Sequence, residues 1–365
     1  MSSRLLKLAA LITCFNASTF TQQPKLQNAK LETISAAAGL RQTIEPLIQK
    51  QPGPLWIGYS IPVMRKERTM CCFDSYEQFK ASGSCCSGCR LEKEGGNFIS
   101  GNINSDCGPL EPPTSAFVML RAEAQKITKL RTFTPDCPLD AAGLPVYWLE
   151  QVNPAQSIDF LTQIADSAIN EPIDRKKDMA RQALHAIALH NIPEADAALK
   201  RFIAPSQPEP MREGAALFLG IERGKAGFDI LKSVLRQDQN ESFRKKAILG
   251  LAESDQPEAI PELIHLARND SSPQVRSQAL FWLAQKGGKK ETEQITDAIQ
   301  NDPETEVKKK AVFALSQMPK DEGVPLLISV AKTNKNPVVR KEAIRWLGFS
   351  NDPRALDFIE QILTK

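Results

Sequence analysis

Residues 258–285 read EAIPELIHLARNDSSPQVRSQALFWLAQ, and their spacing decides the fold. From Glu258 to Ala267 the apolar residues recur at helical intervals, with Pro261 tolerated in the first turn. The Asn269-Asp-Ser-Ser-Pro273 run makes a turn. Gln274 to Gln285 then gives a second helix, with Val275, Ala279, Leu280 and Leu283 on one face. One such helix pair cannot bury its apolar face alone, so it needs neighbours of the same kind.

The sequence supplies them. Ala183, Ala215, Ala247, Ala279, Ala311 and Ala343 stand 32 residues apart. Ile187, Leu219, Leu251, Leu283, Leu315 and Leu347 follow in the same register, each with a small residue after it (Ala188, Gly220, Ala252, Ala284, Ser316, Gly348). Another column, Leu199, Leu231, Leu263, Ile295, Leu327 and Ile359, runs through the other helix of each unit. The expected fold is mostly α: about six helix pairs stacked as an α-solenoid over residues 153–365, around one continuous core.

A polar column lies in the inter-helix turns. Asp238, Asp270, Asp302 and Asn334 are each followed six residues later by a basic side chain, Arg244, Arg276, Lys308 and Arg340. A turn carboxylate accepts N–H groups at the start of the second helix and can meet the basic residue of an adjacent repeat, giving a ladder. With the alanine and leucine columns, these residues make the array resemble the HEAT-repeat superfamily, in particular the short bacterial repeats of phycobilisome-lyase-like proteins. The resemblance implies the fold. It departs at Ala180, in place of the basic residue, and at Ser206, in place of the acid. HEAT arrays serve mainly as protein-binding scaffolds, so a protein partner is the function it implies; the lyase relatives imply a bilin-lyase-like enzyme as the alternative.

Ahead of the array the pattern changes. Met1 to Thr21 reads as an export signal: Arg4 and Lys7 are basic, Leu8 to Thr13 is apolar, and Ala17-Ser-Thr19 offers a cleavage site. Leu11-Ile-Thr-Cys14 is similar to a lipobox, with Thr13 as its departure, so Cys14 is a candidate lipid anchor. Residues 22–34 read as a linker and 35–150 as a small β-rich (α+β) domain. Within that domain Ser35 to Lys50 reads as an amphipathic helix, and Leu55 to Ile61, Ala116 to Arg121 and Ile127 to Thr134 read as strands.

This front part holds Cys71, Cys72, Cys85, Cys86, Cys89, Cys107 and Cys137, and the repeats hold no cysteine. Behind an export signal, such density points to disulfides that staple a small core. Two other readings stay open. Cys86 and Cys89 with Cys71 or Cys72 have the donor set of a four-thiolate zinc site, and Cys86-Ser-Gly-Cys89 has the form of a redox dithiol, which would make the chain a thiol oxidoreductase. The phrases Trp56-Ile-Gly-Tyr59, Cys89-Arg-Leu-Glu92 and Asp136-Cys-Pro-Leu-Asp140 resemble the front portion of exported bacterial HEAT-repeat proteins, and that resemblance implies no activity.

The net charge of +3 gives no push toward nucleic acid, and no apolar run is long enough for a transmembrane helix. His185, His190 and His265 are the only histidines, all within the repeats. There is no G-x-S-x-G, no phosphate loop and no H-E-x-x-H, so the expectation is a non-enzymatic scaffold without a cofactor. Two surfaces are candidates for binding. Lys245, Lys246, Lys309, Lys310 and Lys341 would align as a basic stripe, though a solvated face is the plainer reading and Glu213 and Glu342 interleave with it. Phe218, Trp282 and Trp346 share one column every second repeat, where core packing competes with a partner anchor.

Overall fold

The computed structural model describes residues 23–51, 53–64, 70, 89–92, 111–168, 173–286 and 288–364. Alternation with a period of two governs its front part. The elements there are β1 (Leu26–Gln27), β2 (Lys30–Ser35), α1 (Leu40–Lys50), β3 (Leu55–Pro62), β4 (Cys89–Arg90), β5 (Ser115–Glu123), β6 (Lys126–Phe133), β7 (Leu139–Asp140) and β8 (Pro145–Glu150). Five strands form one sheet in the order β2-β8-β3-β5-β6, and a small three-stranded layer runs β1-β7-β4. On one face of the large sheet Leu55, Ile57, Tyr59, Val118, Leu120 and Leu149 join the same core as α1 and the repeats. On the other, Trp56, Phe117, Met119 and Trp148 pack with Cys89, Leu91, Cys137 and Leu139 of the small layer. Gly58 is required there, because a Cβ would run into the Met119 sulfur and the Trp148 ring.

Residues 22–34, expected to be linker, carry β1 and all of β2 but its last residue, and these strands pair in parallel with β7 and β8. Strand β8 had no sequence-based expectation. It opens on Pro145, a residue that reads as a turn, yet it lies between β2 and β3 in the sheet. The helix expected from Ser35 begins at Leu40, since the preceding five residues finish β2 and a turn.

Helical period takes over at Pro154. Six pairs follow: α2 (Pro154–Ala168) with α3 (Ile173–Leu189), α4 (Pro193–Phe202) with α5 (Glu209–Glu222), and α6 (Gly224–Gln237) with α7 (Glu241–Glu253). Next come α8 (Ala259–Asn269) with α9 (Pro273–Lys286), α10 (Lys289–Asn301) with α11 (Thr305–Ser316), and α12 (Lys320–Thr333) with α13 (Pro337–Phe349); α14 (Pro353–Leu363) closes the described array. Every residue of the alanine and leucine columns of the second helices is buried, as expected of a stack. Those second helices pack against one another along the whole array, whereas the first helices touch each other little. Closer spacing on one side of a curved stack puts that side inward, so the second helices line the inner face. At α5 and α7 the approach is backbone to backbone: a Cβ on Gly220 would collide with the Gly250 carbonyl, and one on Gly250 with the Ala216 carbonyl.

The polar ladder forms and begins one rung earlier than the columns suggest. Arg212 pairs with Asp238, Arg244 with Asp270 at 2.8 Å, and Arg276 with both oxygens of Asp302 at 2.8 and 3.0 Å. Each acid also caps its own turn, accepting the amides of Asn240, Ser272 and Glu304 at 2.8 to 2.9 Å. Arg244 and Arg276 donate in addition to the carbonyls of Asp238 and Asp270 in their own turns. One guanidinium therefore ties two successive turns, a task its planar fork of donors suits. The expected rung between Lys308 and Asn334 is absent. Lys308 donates to the Gln300 carbonyl, and the uncharged Asn334 donates to the Ile299 carbonyl.

Sheet and array meet at the first two repeats. Val63 bridges His190 in antiparallel fashion, and the Asn191 amide donates to the Pro62 carbonyl at 2.9 Å. Thr132 of β6 lies 3.2 Å from the His185 ring, whose other side packs on Phe218. Ser157 of α2 donates to the buried Tyr59 hydroxyl at 2.9 Å. Arg223 reaches back into the α3–α4 turn, donating to the carbonyls of Ala188, His190 and Ile192 and to Asp196. His190 is fully buried, and burial above all, with the Arg223 charge as a lesser contribution, depresses its pKa to about 4.

Two outcomes follow. Arg276→Ala strips the Asp302 carboxylate of its partner and is expected to cost about 2 kcal/mol in urea unfolding, as for a lost hydrogen bond to a charged group. His190 stays neutral in the fold but binds a proton near pH 6.5 when unfolded, so stability is complete above that value and falls as pH drops toward 4. The loss between pH 7.5 and 4.5 is on the order of 2 to 3 kcal/mol, and unfolding of His190→Gln at the two pH values is expected to show most of it removed.

Candidate functional site

Between α7, α9 and α11 the inner face opens into a groove of about 340 Å³. Lys245 stands on one side and Lys310 on the other, with the amides of Gln274 and Gln278 between them and Phe281 and Phe313 lining it. These positions follow from the repeat. Residues one and two places before the buried alanine project from the second helix, and those two places after it reach across to the next. Two phenylalanines in successive repeats therefore stack, with ring planes 6° apart and centroids at 6.1 Å. The row continues through Trp346, 4.9 Å from Phe313, to Phe349, which is 65% exposed.

The five lysines of the candidate stripe do not behave alike. Lys246 is held by Glu209 at 3.0 Å and Glu213 at 2.6 Å, which raise its pKa. Lys309 pairs with Glu306 of its own helix at 3.0 Å. Lys245, Lys310 and Lys341 are exposed and have no carboxylate partner among the described residues.

The candidate aromatic column also divides. Phe218 is core, its ring tilted against His185 with centroids 4.9 Å apart. Trp282 is half-buried edge-on to Phe281, and Trp346 donates its indole N–H to Glu342 at 2.8 Å. The row that reaches the groove is one column earlier, in Phe281 and Phe313. Sequence reasoning passed over that pair, although their 32-residue separation was the signal available.

In the front part the three quoted phrases converge. Trp56 donates its indole N–H to Glu92 at 2.8 Å, and Arg121 donates to both Glu92 oxygens at 3.0 Å. Arg131 donates to the Arg90 carbonyl at 3.0 Å, its other terminal nitrogen 3.7 Å from the Cys89 sulfur. The Cys89 amide donates to the Pro138 carbonyl, so β4 zips onto β7. Asp140 caps the following turn by accepting the Ala142 amide at 2.8 Å. The Cys137 sulfur is buried beside Thr134 and the Met70 carbonyl. Cys71, Cys72, Cys85, Cys86 and Cys107, the export signal and Cys14 all lie outside the described residues. Among the described residues no group of three or more His, Cys, Asp or Glu is placed to hold a metal ion, and no helix is long and apolar enough to cross a membrane.

No curated protein matches the chain. Among solved structures, human deoxyhypusine hydroxylase with glycerol is 17% identical, covering 57% of this chain and 90% of its own at a TM-score of 0.25. A structure of Kap95p with RanGDP is 18% identical, covering 59% of this chain and 33% of that one at 0.36. The CpcE–CpcF complex of phycocyanin lyase from Nostoc sp. PCC7120 is 22% identical, covering 46% and 97% at 0.28. At such scores these likenesses carry no statement about function. The HEAT-repeat profile matches residues 228–300 and 292–365, so the array over 228–365 is made of HEAT repeats.

Proposed function

We propose that the chain is an exported protein-binding scaffold whose inner face is the recognition surface and whose activity is not enzymatic. The observation that carries this is the groove across three successive second helices, with an aromatic lining and two lysines that have no carboxylate partner. A solenoid core is satisfied by its neighbours alone, so its inner side chains are available to a partner. Export rests on the Met1–Thr21 pattern, and a soluble or Cys14-anchored mature form fits it equally. In an oxidising compartment the front cysteines would be paired, which suits a three-stranded layer of two-residue strands with little core of its own. The dithiol oxidoreductase alternative rests on the Cys86-Ser-Gly-Cys89 spacing alone. The bilin-lyase alternative draws on resemblance of the repeats alone.

The test uses residues 22–365 as bait in an extracytoplasmic fraction. Proteins held by the natural sequence are expected to be lost from the charge-reversed variant Lys245→Glu/Lys310→Glu/Lys341→Glu and kept by Lys290→Glu on the outer helix α10. Equal capture by all three baits, or capture by none, overturns the reading. Thiol titration of the unfolded, exported chain without reductant is expected to find few of the seven cysteines behind the export signal free; finding all of them free removes the disulfide staples.

A further inference from the structure

We infer that the groove between α7, α9 and α11 receives an extended acidic peptide of a protein partner, two carboxylates flanking one large apolar side chain. The inference rests on the scaffold reading and narrows it to one ligand chemistry.

Internal pairing selects the lysines. Lys246 and Lys309 already have glutamates, so their charge is spent within the array. Lys245 and Lys310 both border the groove and have none among the described residues. Glu306 at the same rim is neutralised by Lys309 and does not repel an incoming carboxylate. The same groove is lined by the stacked rings of Phe281 and Phe313, an apolar platform that water solvates poorly and a ligand side chain would cover. Gln278 makes no hydrogen bond to protein among the described residues, and Gln274 uses only its carbonyl, accepting from Ser272 at 3.3 Å. Their amide groups can therefore meet the backbone of an extended chain, which needs both donors and acceptors along its length.

Two unpaired lysines are few for a polyanion. Nucleic acid and sulfated polysaccharide bind through many phosphate or sulfate contacts, and a chain of net charge +3 does not offer them here. Spacing is equally selective. Helices α7 and α11 are two steps apart in the stack, about 16–20 Å at ordinary helix-packing distances. An extended peptide advances about 3.3 Å per residue, so it crosses that span in about five or six residues.

The experiment measures fluorescence anisotropy of a labelled peptide bearing two glutamates about six residues apart with a phenylalanine midway. The natural chain is expected to bind it in a salt-sensitive manner. Lys245→Gln/Lys310→Gln is expected to weaken binding about tenfold, while Lys290→Gln/Lys332→Gln on the outer helices changes nothing. Replacing the peptide's phenylalanine by glycine, or its glutamates by glutamine, is expected to weaken it similarly. Equal weakening by both lysine pairs, binding of polyglutamate or heparin as tight as the peptide, or no binding by the natural chain overturns the inference. A peptide that fails while partner capture still depends on Lys245 and Lys310 sinks this ligand chemistry and leaves the scaffold reading standing.

Discussion

Backbone-close stacking of the second helices is the constraint on which the rest of the array depends. A buried alanine in each copy, and the facing Gly220 and Gly250 at one step, set how near one repeat comes to the next. The leucine column then fills the space with side chains that cost little rotamer entropy relative to the apolar area they bury. The ion-pair ladder is subordinate to this. Partly buried pairs such as Arg276–Asp302 recover only part of what desolvation takes from them. Arg244 and Arg276 each bond the next acid and a carbonyl of their own turn, which fixes how successive turns face each other, so the ladder sets register on a stack that apolar burial holds together.

The same apolar continuity explains why the front part and the repeats form one core. A stack of helix pairs exposes an apolar surface at its first repeat, and a sheet with an apolar face can cover it. The Leu55, Ile57, Tyr59 face does so, joined by polar contacts that include Ser157 on Tyr59, Thr132 beside His185 and Pro62 on Asn191. Burying His190 at that seam keeps a neutral imidazole in place of a charged one. The protonated form would stand beside Arg223, so the seam tolerates His190 only while it is uncharged.

Much of this was legible because repetition separates signal from accident. Alanine, leucine and turn columns each recur in six or four copies, and the structure buries or pairs them accordingly. What could not be read is what does not repeat. Strand β8 is short, opens on a proline and is held between two partners that only the fold brings together. The histidines at the seam look like ordinary helix residues, because their partners, Thr132, Val63 and Arg223, are 33 to 127 residues away in the chain. The ladder fails at Lys308 because the next turn offers the uncharged Asn334, which donates to the Ile299 carbonyl while the Lys308 ammonium bonds the Gln300 carbonyl.

The groove belongs to the same logic. Inner-face positions are exempt from the packing rules that fix the columns, so each repeat is free to carry a different residue there. The +2 position is Leu217, Leu249, Phe281, Phe313 and Arg345 in successive second helices. Where two neighbours are aromatic a stacked platform arises, and Lys245 and Lys310 beside it have no glutamate partner among the described residues. A solvated stripe kept for solubility needs no such coincidence, since its charges work equally well wherever they point. Unpaired charge coinciding with half-buried aromatic surface is instead what a recognition site requires: the rings supply area that gains from leaving water, and the lysines decide which ligand is allowed to cover them.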